Sequence, residues 1–381
     1  MADVVIVGGG VIGLSVAREL KLAGVDDVVV LERHGATGQE SSSRANGGFR
    51  AQFTTKPNIE FSFWSIAELE RLDTETGLLA MHQTGYLLFT GTEEGERGLR
   101  AACELQRSLG VPTEWLDADD VLGRASFLRP DGLRAGTFHG RDGFLDPYGV
   151  VQALDREARR LGARIETGAE VRAIRRSEGG FEVAHSGGVA GARCVVNAAG
   201  SDAREVGAML GVDVPVEPYR RNLAFAPDPS GARELIPMCV DLDTGVLIRK
   251  EPSGGYVIAY SNPDDPPSRG LTVDPVFFED LAERIGNRFP FLEELPIDPG
   301  QCWAGLYAET PDHHAIVGEA PDVPGFLQCV GFGGHGVMHS PATGRIVADL
   351  ILKGESDVVD PLVLNLRRFA EGRLLEETAV L

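Results

Sequence analysis

The chain has 381 residues, 43% apolar and 24% charged, which is ordinary soluble composition and long enough for two folding units. Its net charge of −21 disfavours nucleic acid or an anionic membrane surface as partner, and no run of about 18 apolar residues is present to span a bilayer. Five scattered cysteines without C-x-x-C spacing (Cys103, Cys194, Cys239, Cys302, Cys329) point to reduced thiols rather than a disulfide frame or a metal site. The first strand starts by Val4 and leaves no room for a signal peptide, so a cytoplasmic protein is expected.

The first predicted element is the strand Val4-Val5-Ile6-Val7, which runs into Gly8-Gly9-Gly10-Val11-Ile12-Gly13, a G-x-G-x-x-G turn. A helix over Leu14–Ala23 follows, and a second apolar strand then delivers Glu32 nineteen positions after Gly13. In such a unit Gly8 permits the tight turn, Gly10 lets backbone approach a pyrophosphate, and Gly13 lets helix and strand pack closely. The helix N-terminus offers free N–H groups to phosphate, and Glu32 can accept from a ribose diol. Strand, turn, helix, strand and acid in register predict a bound dinucleotide; a glycine-rich turn in another kind of α/β protein is the competing reading.

Residues 84–144 have a different texture, with runs such as Tyr86-Leu87-Leu88-Phe89 broken by turns. A second β-α-β pattern begins with an amphipathic helix from Tyr148 to about Arg160 and continues through strands at Ala163–Thr167, Ala169–Arg175, Phe181–Ala184 and Cys194–Asn197. The last of these ends in Ala198-Ala199-Gly200, small residues at a carboxyl sheet edge where backbone can approach a ligand. Residues 217–301 again show alternating apolar runs and the turn-rich patch Asn262-Pro263-Asp264-Asp265-Pro266-Pro267. Phe326–Val330 reads as a buried strand feeding Gly331-Phe332-Gly333-Gly334-His335-Gly336, with a helix expected from about Ser340 to Leu352. No internal repeat, coiled coil or low-complexity tract is visible.

Three blocks, in this order, resemble the D-amino-acid-oxidase-like flavoprotein superfamily. They are the N-terminal fingerprint with Glu32-Arg33, the stretch Ser41–Phe53, and Trp303–Asp312 followed by Gly331–Gly344. The second and third are most similar to the β subunits of sarcosine oxidase and of dye-linked L-proline dehydrogenase. The resemblance implies an α/β plus α+β fold: a Rossmann-like FAD-binding domain (1–83, 145–216, 302–381) with an inserted antiparallel-sheet substrate domain (84–144, 217–301). It also implies FAD, a hydride taken from a carbon next to nitrogen, and a cofactor site. That site would comprise Gly8, Gly10, Val11, Ile12, Gly13, Glu32 and Arg33, then Ser42, Ser43, Arg44, Asn46, Gly47 and Gly48. Val171, Ala199 and Gly200 would join it, as would Gly333, Gly334, His335, Gly336, Val337 and Met338. The glycine-rich turn suits the far end of a flavin on its own physical terms, since backbone N–H groups and a helix N-terminus stabilise the negative charge of reduced flavin.

In relatives that tether the flavin, a cysteine stands where this chain has Gly305; Cys302 lies three residues earlier and His34 lies near the fingerprint, so non-covalent FAD is expected. A substrate carboxylate calls for a bidentate arginine. The family's Gly-Leu-Arg-Pro stretch is Gly305-Leu306-Tyr307-Ala308 here, so Tyr307 replaces that arginine, which counts against a D-amino acid or glycine oxidase. Arg50 is then the candidate for the carboxylate, with a structural ion pair or a flavin contact as its other readings; Arg44 is read as a phosphate or structural contact. Met338 stands where sarcosine oxidases have a lysine, and no lysine matches near Tyr256-Val257-Ile258, which makes an electron acceptor other than oxygen plausible. His313 and His314 lack metal-ligand spacing, His335 reads as packed in the turn, and His339 can face the site. No metal is expected. The expected catalytic set is Arg50, Tyr307 and His339, acting on a small amino-acid-like substrate: a secondary amine or imino acid such as sarcosine or proline. An FAD-linked 2-hydroxy-acid dehydrogenase is the second reading. A flavin-binding subunit or assembly factor is the third, and a partner subunit or homo-oligomer stays open.

Overall fold

The computed structural model describes residues 1–375 and Glu377; the remainder of the 302–381 segment lies outside the described residues. Two large sheets organise the chain. The first runs in the order Ile316–Glu319, Phe326–Val330, Gly188–Asn197, Ala2–Val7, Val28–Glu32, Arg164–Thr167. Its central pairs are parallel, with Val4 opposite both Cys194 and Val28. Such strands are buried on both faces, which is why Val4–Val7 and Val28–Leu31 read as continuous apolar runs. Val4 and Ile6 enter one core while Val5 and Val7 enter the other. On the first of these faces lie the helices Val11–Leu22, Lys56–Thr76, Pro147–Arg160 and Gly336–Lys353. Pro147–Arg160 starts where its local chemistry dictates: Asp146 caps it by accepting from Tyr148 N at 2.9 Å, and Pro147 supplies a helical φ at the first turn.

The second sheet runs Trp303–Glu309, Glu217–Ala226, Tyr256–Ala259, Leu247–Lys250, Met238–Asp241, Tyr86–Thr90, Ala135–His139, Glu114–Asp117. Its strands also bury both faces: Leu87 and Phe89 pack with Phe277, Leu281 and Phe289 of the segment that includes helix Val276–Arg288, whereas Tyr86 and Leu88 pack with Leu99 of helix Glu93–Ser108. Two features depart from the sequence reading. The sheet is not wholly antiparallel, because Met238–Asp241 runs parallel to Tyr86–Thr90. These strands come from separate segments of the chain, so no hairpin constrains their relative direction. The strand Trp303–Glu309, placed by sequence with the cofactor-binding residues 302–381, pairs along its whole length with Glu217–Ala226, Arg221 facing Gly305. Partner choice for an edge strand is a long-range decision that its own residues do not encode.

The last long helix begins at Gly336 rather than near Ser340 and runs through Pro341. A proline there cannot donate to the carbonyl four residues back; Ser340 Oγ donates to that oxygen, Val337 O, at 2.9 Å and the helix continues. No helix among the described residues is long and apolar enough to cross a membrane.

Candidate cofactor and substrate site

A cavity of about 550 Å³ runs from the glycine turn, between the two sheets, to the edge of the second sheet. At its first end the turn is built as close packing demands. Gly8 holds φ +109°, and a side chain there would meet Ala198 O at 2.4 Å. A side chain on Gly13 would meet Gly8 O at 2.0 Å, so Gly13 faces the strand and not the cavity. Gly10, Val11 and Ile12 line the cavity at the helix N-terminus. Glu32 is buried and held at both oxygens: Gly9 N donates to Oε2 and His34 N to Oε1, each at 2.8 Å. A carboxylate fixed in this way still has lone pairs for a diol. Arg33 pairs with Glu40 and, at 2.7 Å, with Asp202 across the cavity mouth, and Val171, Ala199 and Gly200 complete that wall. Burial alone would raise the Glu40 carboxyl, but hydrogen bonds from His34 and Arg33 hold it below its ordinary value.

The stretch after it divides its residues between cavity and support. Ser42, Arg44 and Asn46 line the cavity; Ser42 Oγ accepts from Val11 N at 3.1 Å, tying the stretch to the glycine turn. Ser43 turns away and donates to Gly38 O at 2.6 Å. Gly47 and Gly48 lie behind the lining, where Gly48-Phe49 pairs with Gly143-Phe144. Arg50 is placed likewise. It is 2% exposed, lies with its Cζ 4.1 Å from the centre of the Phe53 ring, donates to Gln52 O, and does not line the cavity. Burial lowers its pKa from the ordinary value, against the opposing influence of Tyr86, Glu377, Asp142 and Tyr307.

At the turn beyond Val330, Gly333, Gly334, Gly336 and Val337 line the cavity, and the helix from Gly336 points its N-terminus there. Successive helical residues rotate by about 100°, so Met338 and His339 turn from the cavity into the core. His339 stacks on Phe61 with ring centres 5.0 Å apart, hydrogen-bonds Ser62 Oγ at 2.8 Å and does not line the cavity. His335 packs edge-on against Phe53; burial, then the Arg50 charge, pushes its pKa down to about 3, so it is neutral at physiological pH. These residues fit a flavin in their backbone donors, in a lining without charged side chains at the turn, and in Tyr307 packed against Gly334, whose Cβ would meet the tyrosine hydroxyl at 2.7 Å.

At the second-sheet end the lining includes Tyr307, Arg221, Asn222 and Tyr260. Burial raises the Tyr307 hydroxyl above its ordinary pKa, offset in part by the Arg221 charge. Arg221 has its Cζ 5.6 Å from the centre of the Tyr307 ring, and its Nε is buried without a hydrogen-bond partner among the described residues. The sequence reading missed Arg221. A signal was present: in the strand Glu217–Ala226 the adjacent Arg220 and Arg221 must point to opposite faces, so one arginine had to face inward. Arg220 is the one that pairs with Asp274. Gly305 lines the cavity, while Cys302 donates its thiol to Asp298 O at 3.1 Å, outside the lining.

Residues 3–350 match the sequence profile of the FAD dependent oxidoreductase (DAO) family. FAD-dependent oxidoreductase domain-containing protein 1 of Xenopus laevis is 29% identical over 427 residues, spanning 100% of this chain and 85% of that protein. Mitochondrial dimethylglycine dehydrogenase of Rattus norvegicus is 29% identical over 379 residues, which take in 93% of this chain and 43% of that longer protein. The L-proline dehydrogenase of P. horikoshii superposes with a TM-score of 0.91 over 98% of this chain and 99% of its own, at 27% identity. With fingerprint, cavity and profile in agreement over most of its length, the chain belongs to the DAO family of FAD-dependent oxidoreductases.

Proposed function

We propose that the protein oxidises the C–N bond of a small secondary amine or imino acid, sarcosine- or proline-like, and that Arg221 holds the substrate carboxylate. The observation that carries this reading is Arg221 itself: a cation lining the second-sheet end of the cavity with a buried, unpartnered Nε beside Tyr307. A guanidinium in that state matches a planar carboxylate, and two parallel hydrogen bonds fix the orientation of the α-carbon. Bound FAD supplies the two-electron acceptor for the hydride leaving that carbon. Arg221 orients, Tyr307 and Phe332 exclude water, and the N-terminus of the helix from Gly336 offers its positive end to developing negative charge. Flavin attachment is non-covalent in this reading, because Gly305 offers no side chain for a tether and the Cys302 thiol points elsewhere.

The test is anaerobic: sarcosine and proline are added to the flavin-loaded protein and loss of visible flavin absorbance is followed. Bleaching by one or more of these amines is the expected result. Bleaching by 2-hydroxy acids alone would replace the reading, and no bleaching by any of them would remove it.

A further inference from the structure

The guanidinium of Arg221 is loosely engaged. Its Nη1 lies 3.4 Å from Asp265 Oδ2 and 3.3 Å from Arg220 O, both near the outer limit for a hydrogen bond. A structural arginine–aspartate pair in this protein looks different. Arg368 meets Asp312 through two bonds, Nε at 2.8 Å and Nη2 at 2.9 Å, with both side chains buried. Asp265 is 38% exposed and belongs to the proline-rich patch 262–267, held by Asp265 N donating to Asn262 O at 3.3 Å.

Asp265 also lines a second, smaller cavity of about 80 Å³, which shares Arg221, Asn222 and Tyr260 with the main one. Arg221 therefore stands in a common wall, with a carboxylate of the protein on one side and the substrate end of the main cavity on the other. Burial keeps the Asp265 carboxyl above its ordinary pKa despite Arg221 and Arg220 nearby, consistent with a weakly satisfied group.

We propose that Asp265 is an affinity-setting residue that acts as a built-in rival for the substrate carboxylate: a ligand with a carboxylate must draw Arg221 away from Asp265 and binds less tightly for it, whereas a neutral analogue leaves that pair in place and is unaffected. This rests on Arg221 being the carboxylate anchor. The contact has the properties a rival needs, being weak, monodentate and next to the site, whereas a supporting contact would be short and forked as at Arg368. The exchange forms one ion pair and breaks another, so it sets affinity without requiring a change in fold.

The experiment uses the flavin-loaded protein and two unreactive probes, pyrrole-2-carboxylate and its carboxamide, with binding read from perturbation of the flavin spectrum. Asp265→Asn removes the rival charge. It should tighten pyrrole-2-carboxylate binding about two- to fivefold, the equivalent of one partly exposed ion pair, and leave the carboxamide unchanged. Arg221→Ala should abolish the preference for the carboxylate. Weaker or unchanged carboxylate binding in Asp265→Asn would overturn the proposal, as would failure of the unmodified protein to bind the carboxylate. The two readings separate cleanly. Amine bleaching without tightening in Asp265→Asn sinks the rival alone; tightening without bleaching by any amine sinks the proposed reaction and leaves the rival standing.

Discussion

At one end of the cavity, Gly8, Gly10 and Glu32 come from a single β-α-β unit within the first 32 residues; at the other, Arg221, Tyr260 and Tyr307 come from three neighbouring strands or their ends in the second sheet. The first end is assembled by local geometry, with turn, helix N-terminus and acid all fixed by backbone conformation over one short stretch. The second is assembled by strand pairing, in which Arg221 meets the edge strand only because it lies opposite Gly305. Arginine placement shows the same contrast. Arg50 sits in the motif-bearing stretch and ends in the core, whereas Arg221 sits in an unremarked strand and ends in the cavity. The glycine-turn end of the cavity thus rests on contiguous chain and the second-sheet end on partners distant in sequence.

The largest expected effect attacks the local end. Gly13→Val places a branched side chain where even a Cβ meets Gly8 O at 2.0 Å, so the helix must lift from the strand and the phosphate-facing N–H groups move with it. The purified variant should carry no flavin, as read by visible absorbance and by FAD released on denaturation. A full complement of FAD in that variant would erase the contrast between the two ends of the cavity.

The next compares the two arginines directly. Arg221→Ala should keep its flavin and its melting temperature but bind carboxylate ligands about 30-fold or more weakly, the usual cost of truncating one member of a desolvated charge pair. Arg50→Ala should do the reverse: a stability loss of about 3 kcal/mol from emptying a fully buried site, seen as a lower urea midpoint. If Arg50→Ala stays as stable as the parent and loses only carboxylate affinity, the roles assigned to the two residues are exchanged.

The smallest concerns the turn. His335 has its folded-state pKa lowered to about 3 from an ordinary 6.5, so as pH falls the unfolded chain takes up the proton first. The stability linked to neutral His335 is therefore complete above about pH 6.5 and is lost progressively as pH falls toward about 3. Melting temperature should fall over that window, and His335→Gln should make the decline shallower. His314 and His339 shift in the same direction, so part of the slope should survive the substitution. An unchanged slope in His335→Gln would show that the turn histidine does not titrate with unfolding.

The legible part of this protein was what short-range sterics and period-two or period-3.6 patterning dictate. The opening β-α-β unit was readable because only glycine tolerates φ +109° at Gly8 and only glycine fits against Gly8 O at Gly13. The helix Pro147–Arg160 was readable from its amphipathic spacing, whereas its Asp146 cap emerged only in the structure. Tertiary structure alone decided the rest. It turned Met338 and His339 into the core, one and two residues past Val337 in the lining, because 3.6-residue periodicity fixes relative directions but not which face meets the ligand. It paired Trp303–Glu309 with the second sheet and chose Arg221 over Arg50 for the cavity, because strand pairing joins residues far apart in sequence, and nothing within either strand states its partner.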